Sequence, residues 1–260
     1  MRVFATYNIK GGVGKTSTAV NLSYLAARAG ARTLLWDLDP QAAATYMLRV
    51  KPRVKGGGRA LVRGSRPLDD AIKATDFDGL DLLPADFSYR NMDIELDGTK
   101  KPVRRIRRLL RPVRDEYDVV ILDCPPSISL VSENVLHAAN TIVVPLIPTT
   151  LSVRTLDQLT SFVDGFDGRR PEVRAFFSMV DRRKRLHREI VETLPAERPG
   201  IATTVIPAMS LVEQMAVRRA PVPAFAPRSR LAHSYENLWA EVSADGVGAP
   251  ARLPALDKTH

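Results

Sequence analysis

Two lysines enclose a run of glycines near the start of the chain, in the order Lys10-Gly11-Gly12-Val13-Gly14-Lys15, and Thr16 and Ser17 follow directly. Glycines at this spacing take backbone angles closed to other residues, so successive N–H groups can turn inward onto one anion. A helix beginning at Lys15 would add the positive end of its dipole. In such a cradle Lys15 sits on the β/γ-phosphates of a nucleotide and the Thr16 hydroxyl on Mg²⁺. The strict spacing G-x-x-x-x-G-K-[ST] fails, because Ile9 stands five before Gly14; a second cation, Lys10, heads the loop instead. Three carboxylates could complete the chemistry: Asp37 and Asp39 in Asp37-Leu-Asp-Pro-Gln41, and Asp123 at the end of Asp118-Val-Val-Ile-Leu-Asp123.

Each of these groups follows an apolar run of strand length. Val3 to Tyr7 reads as a buried parallel strand, and Lys15 to Ala29 as the next helix, stopped by Gly30. Thr33 to Trp36 delivers Asp37 and Asp39, and Asp118 to Asp123 delivers the third carboxylate. Carboxylates at the carboxyl ends of parallel strands face the crevice where α/β sheets bind ligands. A second reading of Asp37 and Asp39 has them cap a helix starting at Gln41. Further strands are expected at Leu80 to Leu83, Thr141 to Pro145, Val173 to Val180 and Thr203 to Ile206, with helices at Pro67 to Ala74, Ser152 to Phe162 and Arg230 to Val242. The pattern is an α/β protein with one doubly wound, mostly parallel sheet flanked by helices, a single domain over residues 1–244. Residues 245–260, with two prolines and few large apolar side chains, read as a frayed tail.

At 260 residues the chain can bury a full core, and 45% hydrophobic content is ordinary for a globular protein. No apolar run reaches the ~18 residues that span a bilayer. No charged-then-apolar leader precedes the first strand, and a lone Cys124 cannot form an intrachain disulfide, so a reducing cytoplasm is expected. A formal net charge of +9 points to a polyanionic partner, nucleic acid or an acidic membrane surface.

Lys10-Gly-Gly-Val-Gly-Lys-Thr16, Asp37-Leu-Asp-Pro-Gln41 and Asp123-Cys-Pro-Pro-Ser127 together resemble the ParA/MinD family of P-loop ATPases with a deviant Walker A motif. The resemblance runs from the first strand to the terminal helix. It implies ATP and Mg²⁺ as cofactors, held by the loop Lys10, Gly11, Gly12, Val13, Gly14, Lys15, Thr16 and Ser17, and implies that Lys10 crosses to the partner's nucleotide in a homodimer formed on ATP binding. Asp39 would orient the attacking water, and Asp37 and Asp123 would lie in or near the Mg²⁺ shell with Thr16. Pro207 and Met209 match the place where family members hold adenine, although Ala208 replaces the usual arginine. Arg218, Arg219, Arg228 and Arg230 fall in the region that gives partitioning relatives nonspecific DNA binding. What the resemblance implies is a slow, partner-stimulated ATP hydrolase that positions a plasmid, chromosome or protein cargo on the nucleoid. It works with a ParB-like or adaptor activator and has no stable membrane association. The alternative is a MinD-like membrane-cycling regulator, for which the Pro250 and Pro254 tail is unsuited.

Three other stretches carry charge. Arg49 to Arg66 holds seven Arg or Lys, no acid and Gly56-Gly-Gly58, and reads as a mobile surface segment. Lys100 to Arg114 reads as one basic amphipathic helix, either covering the sheet or touching phosphate or lipid. Asp181 to Arg188 is a dense cationic cluster before a helix. Cys124 reads as a small buried side chain and not a nucleophile.

Overall fold

The computed structural model describes residues 1–244; the frayed tail expected at 245–260 lies outside the described residues. The first half runs β1 (Arg2–Thr6), α1 (Lys15–Arg28), β2 (Thr33–Asp37), α2 (Ala43–Met47), α3 (Gly57–Arg63), β3 (Lys73–Ala74), β4 (Leu80–Leu83), α4 (Met92–Asp97) and α5 (Arg105–Leu109). It continues through β5 (Val119–Asp123), α6 (Leu130–Ala138), β6 (Thr141–Leu146), α7 (Thr150–Asp164), β7 (Glu172–Val180), α8 (Arg185–Glu197), β8 (Ile201–Pro207), α9 (Ser210–Arg218), α10 (Val222–Phe225) and α11 (Arg230–Ser243).

The strands form one sheet in the order β3-β4-β2-β5-β1-β6-β7-β8, parallel throughout except for the short antiparallel edge strand β3. Its central strands are apolar on both faces, as a parallel sheet covered by helices on both sides requires. Val3 and Ala5 join one core with Val120, Leu122 and the apolar sides of α3 and α6. Phe4 points the other way and packs with Val119, Ile121, α1 and α11. The order reverses direction at β1, between β5 and β6, and the crevice at that switch point is where the glycine loop emerges.

Three local readings change. The segment 49–66 is not a loose surface run: α3 lies within it, and Val54, Leu61 and Val62 are buried. Its glycines serve close packing, since a Cβ on Gly57 would lie 2.5 Å from Ser88 Oγ, and Asp86 and Ser88 accept the Val54 and Gly58 N–H groups at 2.8 Å. The stretch 100–114 is broken into a 3₁₀ turn and the short α5, because Asn134 Oδ1 accepts the N–H groups of Arg105 and Ile106 and starts the helix there. Ile106, Leu110 and Val113 still form its buried stripe. Pro67 to Ala74 gives a 3₁₀ turn at Asp69–Ala71 and then β3, not a helix; Lys73 and Ala74 pair with Leu82 and Asp81 at the sheet edge. Among the described residues no helix is long and apolar enough to cross a membrane.

Candidate functional site

The loop between β1 and α1 is shaped by its glycines. Gly12 and Gly14 have φ of 69° and 93°, and a Cβ on Gly14 would meet Ser178 Oγ of β7 at 3.0 Å. Helix α1 then begins with no side-chain cap and no acidic residue in its first turn. Its first N–H groups are therefore left for an anion. The helix is pinned from behind by Asn21, whose Nδ2 donates to the Ser17 carbonyl at 2.7 Å and whose Oδ1 accepts the Val222 N–H at 2.8 Å.

Lys15 is buried, and its Nζ donates to the Lys10 carbonyl at 2.8 Å, tying the two ends of the loop together. Burial lowers the pKa of the ammonium, while Asp123, Cys124 and Asp39 pull the other way. The Lys10 backbone N–H donates to Asn8 Oδ1 at 2.9 Å. Val13 is buried and serves the core.

The carboxylates divide by role. Asp37 and Asp123 are register partners across β2 and β5, and both are fully buried. Asp37 has its oxygens committed: Oδ2 accepts the Thr45 N–H and hydroxyl at 2.8 and 2.7 Å, and Oδ1 the Asp39 N–H at 3.2 Å. It anchors the start of α2, and burial pushes its pKa up to about 6. Asp123 Oδ1 accepts the Thr6 hydroxyl at 3.3 Å, whereas Oδ2 has no partner. Burial first, then the neighbouring Asp37, holds its carboxyl well above the usual range, and the Thr16 hydroxyl opposes them. A buried carboxylate oxygen without a donor costs free energy unless a cation or a donor meets it. Asp39 is half-buried at the edge of the crevice, with Oδ1 accepting the Gln41 N–H at 2.9 Å. Among the described residues no cluster of three or more His, Cys, Asp or Glu could chelate a metal unaided. A magnesium ion held here would therefore need Thr16, Asp123, water and phosphate oxygens, which matches a hard cation that keeps part of its hydration.

A cleft of about 520 Å³ opens over the loop. Gly11, Gly12, Gly14, Lys15, Thr16 and Ser17 line it with Asp39, and so do Pro207 and Met209. Lys10 and Val13 are not among its lining residues. The sequence did not flag Ser178 and Met179 at the end of β7, Glu213 of α9, or Tyr235 of α11, all of which line the cleft. Met179 has φ of 54° and sits where the β7–β8 register shifts, a local strain of the kind found beside ligand sites. No periodicity or motif marks such a residue.

Of the four arginines expected at DNA, Arg218, Arg228 and Arg230 are exposed. Arg219 is half-buried and engaged: its Nε donates to the Tyr46 carbonyl at 2.9 Å and its guanidinium lies 4.6 Å over the Tyr46 ring. Arg49 returns the contact, donating to the Arg218 carbonyl at 3.1 Å. An arginine just beyond each helix thus satisfies a carbonyl in the last turn of the other, and α2 is clasped to α9. Cys124 is buried beneath the site, and burial pushes its thiol pKa up, as an unreactive side chain requires.

A glycine loop between a parallel strand and an uncapped helix, with a buried strand-end carboxylate beside it, defines a P-loop nucleotide-binding fold. A family model described as an AAA domain matches residues 1–174. The chain is 34% identical to the sporulation initiation inhibitor protein Soj of Bacillus subtilis, over 94% of this chain and 99% of that one. It is also 34% identical to the chromosome partitioning protein ParA of Caulobacter vibrioides, over 75% of this chain and 76% of that one. Among solved structures, cobyrinic acid a,c-diamide synthase from Mycobacterium smegmatis with bound ATP analogue and magnesium superposes with TM-score 0.79 at 27% identity, covering 92% of each chain. An ATP complex of a Cyanothece McdA variant shares the fold, with TM-score 0.81 at 20% identity over 95% of this chain and 98% of that one. The chain belongs to the ParA/MinD family of P-loop ATPases.

Proposed function

We propose that this chain is a partitioning ATPase. It binds Mg·ATP in the cleft above the glycine loop, pairs face to face with a second copy, binds DNA without sequence preference, and lets go after slow hydrolysis stimulated by a partner protein. The observation that carries the reading is the unpartnered Asp123 Oδ2, buried beside Lys15 and Thr16 at the uncapped start of α1. These groups set a buried carboxyl that lacks a donor next to a buried ammonium, which magnesium and a triphosphate would satisfy together. The 34% identity to the chromosome partitioning protein ParA of Caulobacter vibrioides supports the partitioning role over a membrane-cycling one.

Within the cleft, Gly12, Gly14 and the first turn of α1 would donate to phosphate oxygens, and Lys15 would exchange its bond to the Lys10 carbonyl for one to phosphate. Bound magnesium would neutralise phosphate charge, and Thr16 and Asp123 are the side chains that would hold it. Asp39, whose Oδ2 is uncommitted among the described residues, would orient the attacking water. The Lys10 side chain does not line its own cleft, which suits a cation lent to the nucleotide of the opposite copy. Arg218, Arg228 and Arg230 would meet phosphate rows, and binding there should fall steeply with salt. A cytoplasmic, nucleoid-associated protein acting with a ParB-like or adaptor activator follows from this cycle.

The test combines light scattering with co-sedimentation. With Mg·ATP the mass should double and random-sequence DNA should pellet the protein; with Mg·ADP neither should occur. A protein that stays monomeric under saturating Mg·ATP, or that pellets with anionic liposomes and not with DNA, overturns the reading.

A further inference from the structure

At the opposite end of the sheet lies a second cavity, of about 240 Å³, lined by Arg107, Arg111, Arg114, His137, Asn140 and Arg169 together with the start of β1. We propose that it is an anion site for a compact oligophosphate, separate from the nucleotide cleft. The arginines come from three places in the chain: α5, the turn that follows it, and the loop between α7 and β7. None of the residues lining the cavity is acidic. Among the described residues, the four guanidinium groups make neither hydrogen bond nor ion pair. Most other arginines near this part of the fold are committed, as Arg32 is to Asp118, Arg105 to the Val62 carbonyl and Arg108 to the Lys100 carbonyl. The four arginines are solvent-exposed, and with no acidic residue in the lining they set a positive potential over the cavity. A guanidinium fork matches phosphate oxygens two at a time, so a multiply charged phosphate fits such a lining best.

Two further features make this a formed site. Asn140 Oδ1 accepts the Val3 N–H at 2.7 Å, which fixes the amide and leaves its Nδ2 as a donor at the wall. The His137 ring stacks on Phe166 with centroids 4.0 Å apart and planes 17° apart, giving the cavity a stiff side. Its nearest carboxylate is Glu133, 3.9 Å from Nε2. At ~30 Å³ per water the cavity replaces about eight waters, the scale of two or three phosphate groups and not of a duplex. The five residues of β1 separate it from the glycine loop by roughly 17 Å, so one ligand cannot bridge both.

The probe is inorganic tripolyphosphate, titrated calorimetrically into the full chain at physiological salt. Arg111→Glu with Arg114→Glu should weaken binding tenfold or more, and Arg169→Glu alone, on a different loop, should weaken it as well. Lys15→Ala should leave this binding in place. Either arginine variant suffices if the other does not fold, judged by its unfolding midpoint. The proposal falls if Lys15→Ala abolishes binding while the arginine variants keep it. It also falls if tripolyphosphate does not bind and the arginine variants lose only affinity for random-sequence duplex DNA.

Discussion

Arg219 offers a substitution whose sign distinguishes a structural clasp from a free DNA contact. It occupies the position after α9 with φ of 52°, a left-handed conformation that glycine adopts without cost and alanine does not. Replacing Arg219 by either residue removes the bond to the Tyr46 carbonyl, worth about 1 kcal/mol at this exposure, and the contact with the Tyr46 ring, worth about 0.5–1 kcal/mol. Alanine keeps the left-handed strain of ~1–2 kcal/mol; glycine removes it and costs ~0.5–1 kcal/mol in unfolded-chain entropy. Arg219→Gly should therefore be more stable than Arg219→Ala by about 0.5–1 kcal/mol, the reverse of the order inside a helix. Urea unfolding of the nucleotide-free chain reads this directly, provided the m-values agree. In the same assay Arg218→Ala, Arg228→Ala and Arg230→Ala should be neutral, while weakening DNA binding. If Arg219→Ala is as stable as wild type, or more stable than Arg219→Gly, the clasp between α2 and α9 is not what Arg219 provides.

Three shorter expectations concern the site and the surface. Lys10→Ala should retain nucleotide affinity and lose ATP-driven doubling in mass by light scattering, since Lys10 does not line its own cleft; a variant that doubles normally removes the trans role. Gly14→Ala adds a Cβ 3.0 Å from Ser178 Oγ at a φ of 93°, so affinity for a fluorescent ADP analogue should fall tenfold or more, and unchanged affinity would mean the loop does not hold phosphate in this shape. Hydrogen bonds from the Arg32 side chain and backbone lower the Asp118 pKa to about 2. That pairing stabilises the fold above the ordinary carboxylate pKa and is lost as pH falls from about 4 through 2. With both side chains about half exposed, solvent screens most of the gain, and Asp118→Asn should close a small gap to wild type over that window in thermal unfolding.

The nucleotide end of the molecule was legible because its chemistry is local. Glycines, a lysine and a threonine between an apolar run and a helical one can be read without knowing what packs against them, and so can carboxylates at strand ends. The rest of the cleft comes from residues brought in by topology: Ser178 and Tyr235 arrive from β7 and α11, and neither sits in a pattern that marks it. Charge misled in two ways. The basic stretch 49–66 reads as solvated, yet Val54, Leu61 and Val62 suffice to bury one side of α3 and the turn before it. Arg219 stands among arginines that are exposed, and only the fold reveals Tyr46 beneath it. Long-range pairs such as Asn21 with Val222 or Arg105 with Val62 leave no trace in a single sequence.

The pairing of Asp37 with Asp123 carries one more consequence for stability. Two buried carboxylates in register on adjacent strands repel each other; Asp37 is met by Thr45 and the Asp39 N–H, whereas Asp123 has only the Thr6 hydroxyl on Oδ1 and the Thr16 hydroxyl and Lys15 nearby. Asp123 keeps an oxygen without a donor in a place water does not reach. On the proposed function such a group is kept at the expense of the ligand-free fold, because the cation that would satisfy it would arrive with the nucleotide. Asp123→Asn removes the ionisable group with little change in volume, and it should raise the unfolding midpoint of the ligand-free protein. The same change should abolish the further rise that wild type shows on adding Mg·ADP, by mass action of a ligand that binds only the folded state. An Asp123→Asn protein less stable than wild type without ligand, and still stabilised by Mg·ADP, would show that Asp123 is there to hold the sheet together and that the cation is held elsewhere.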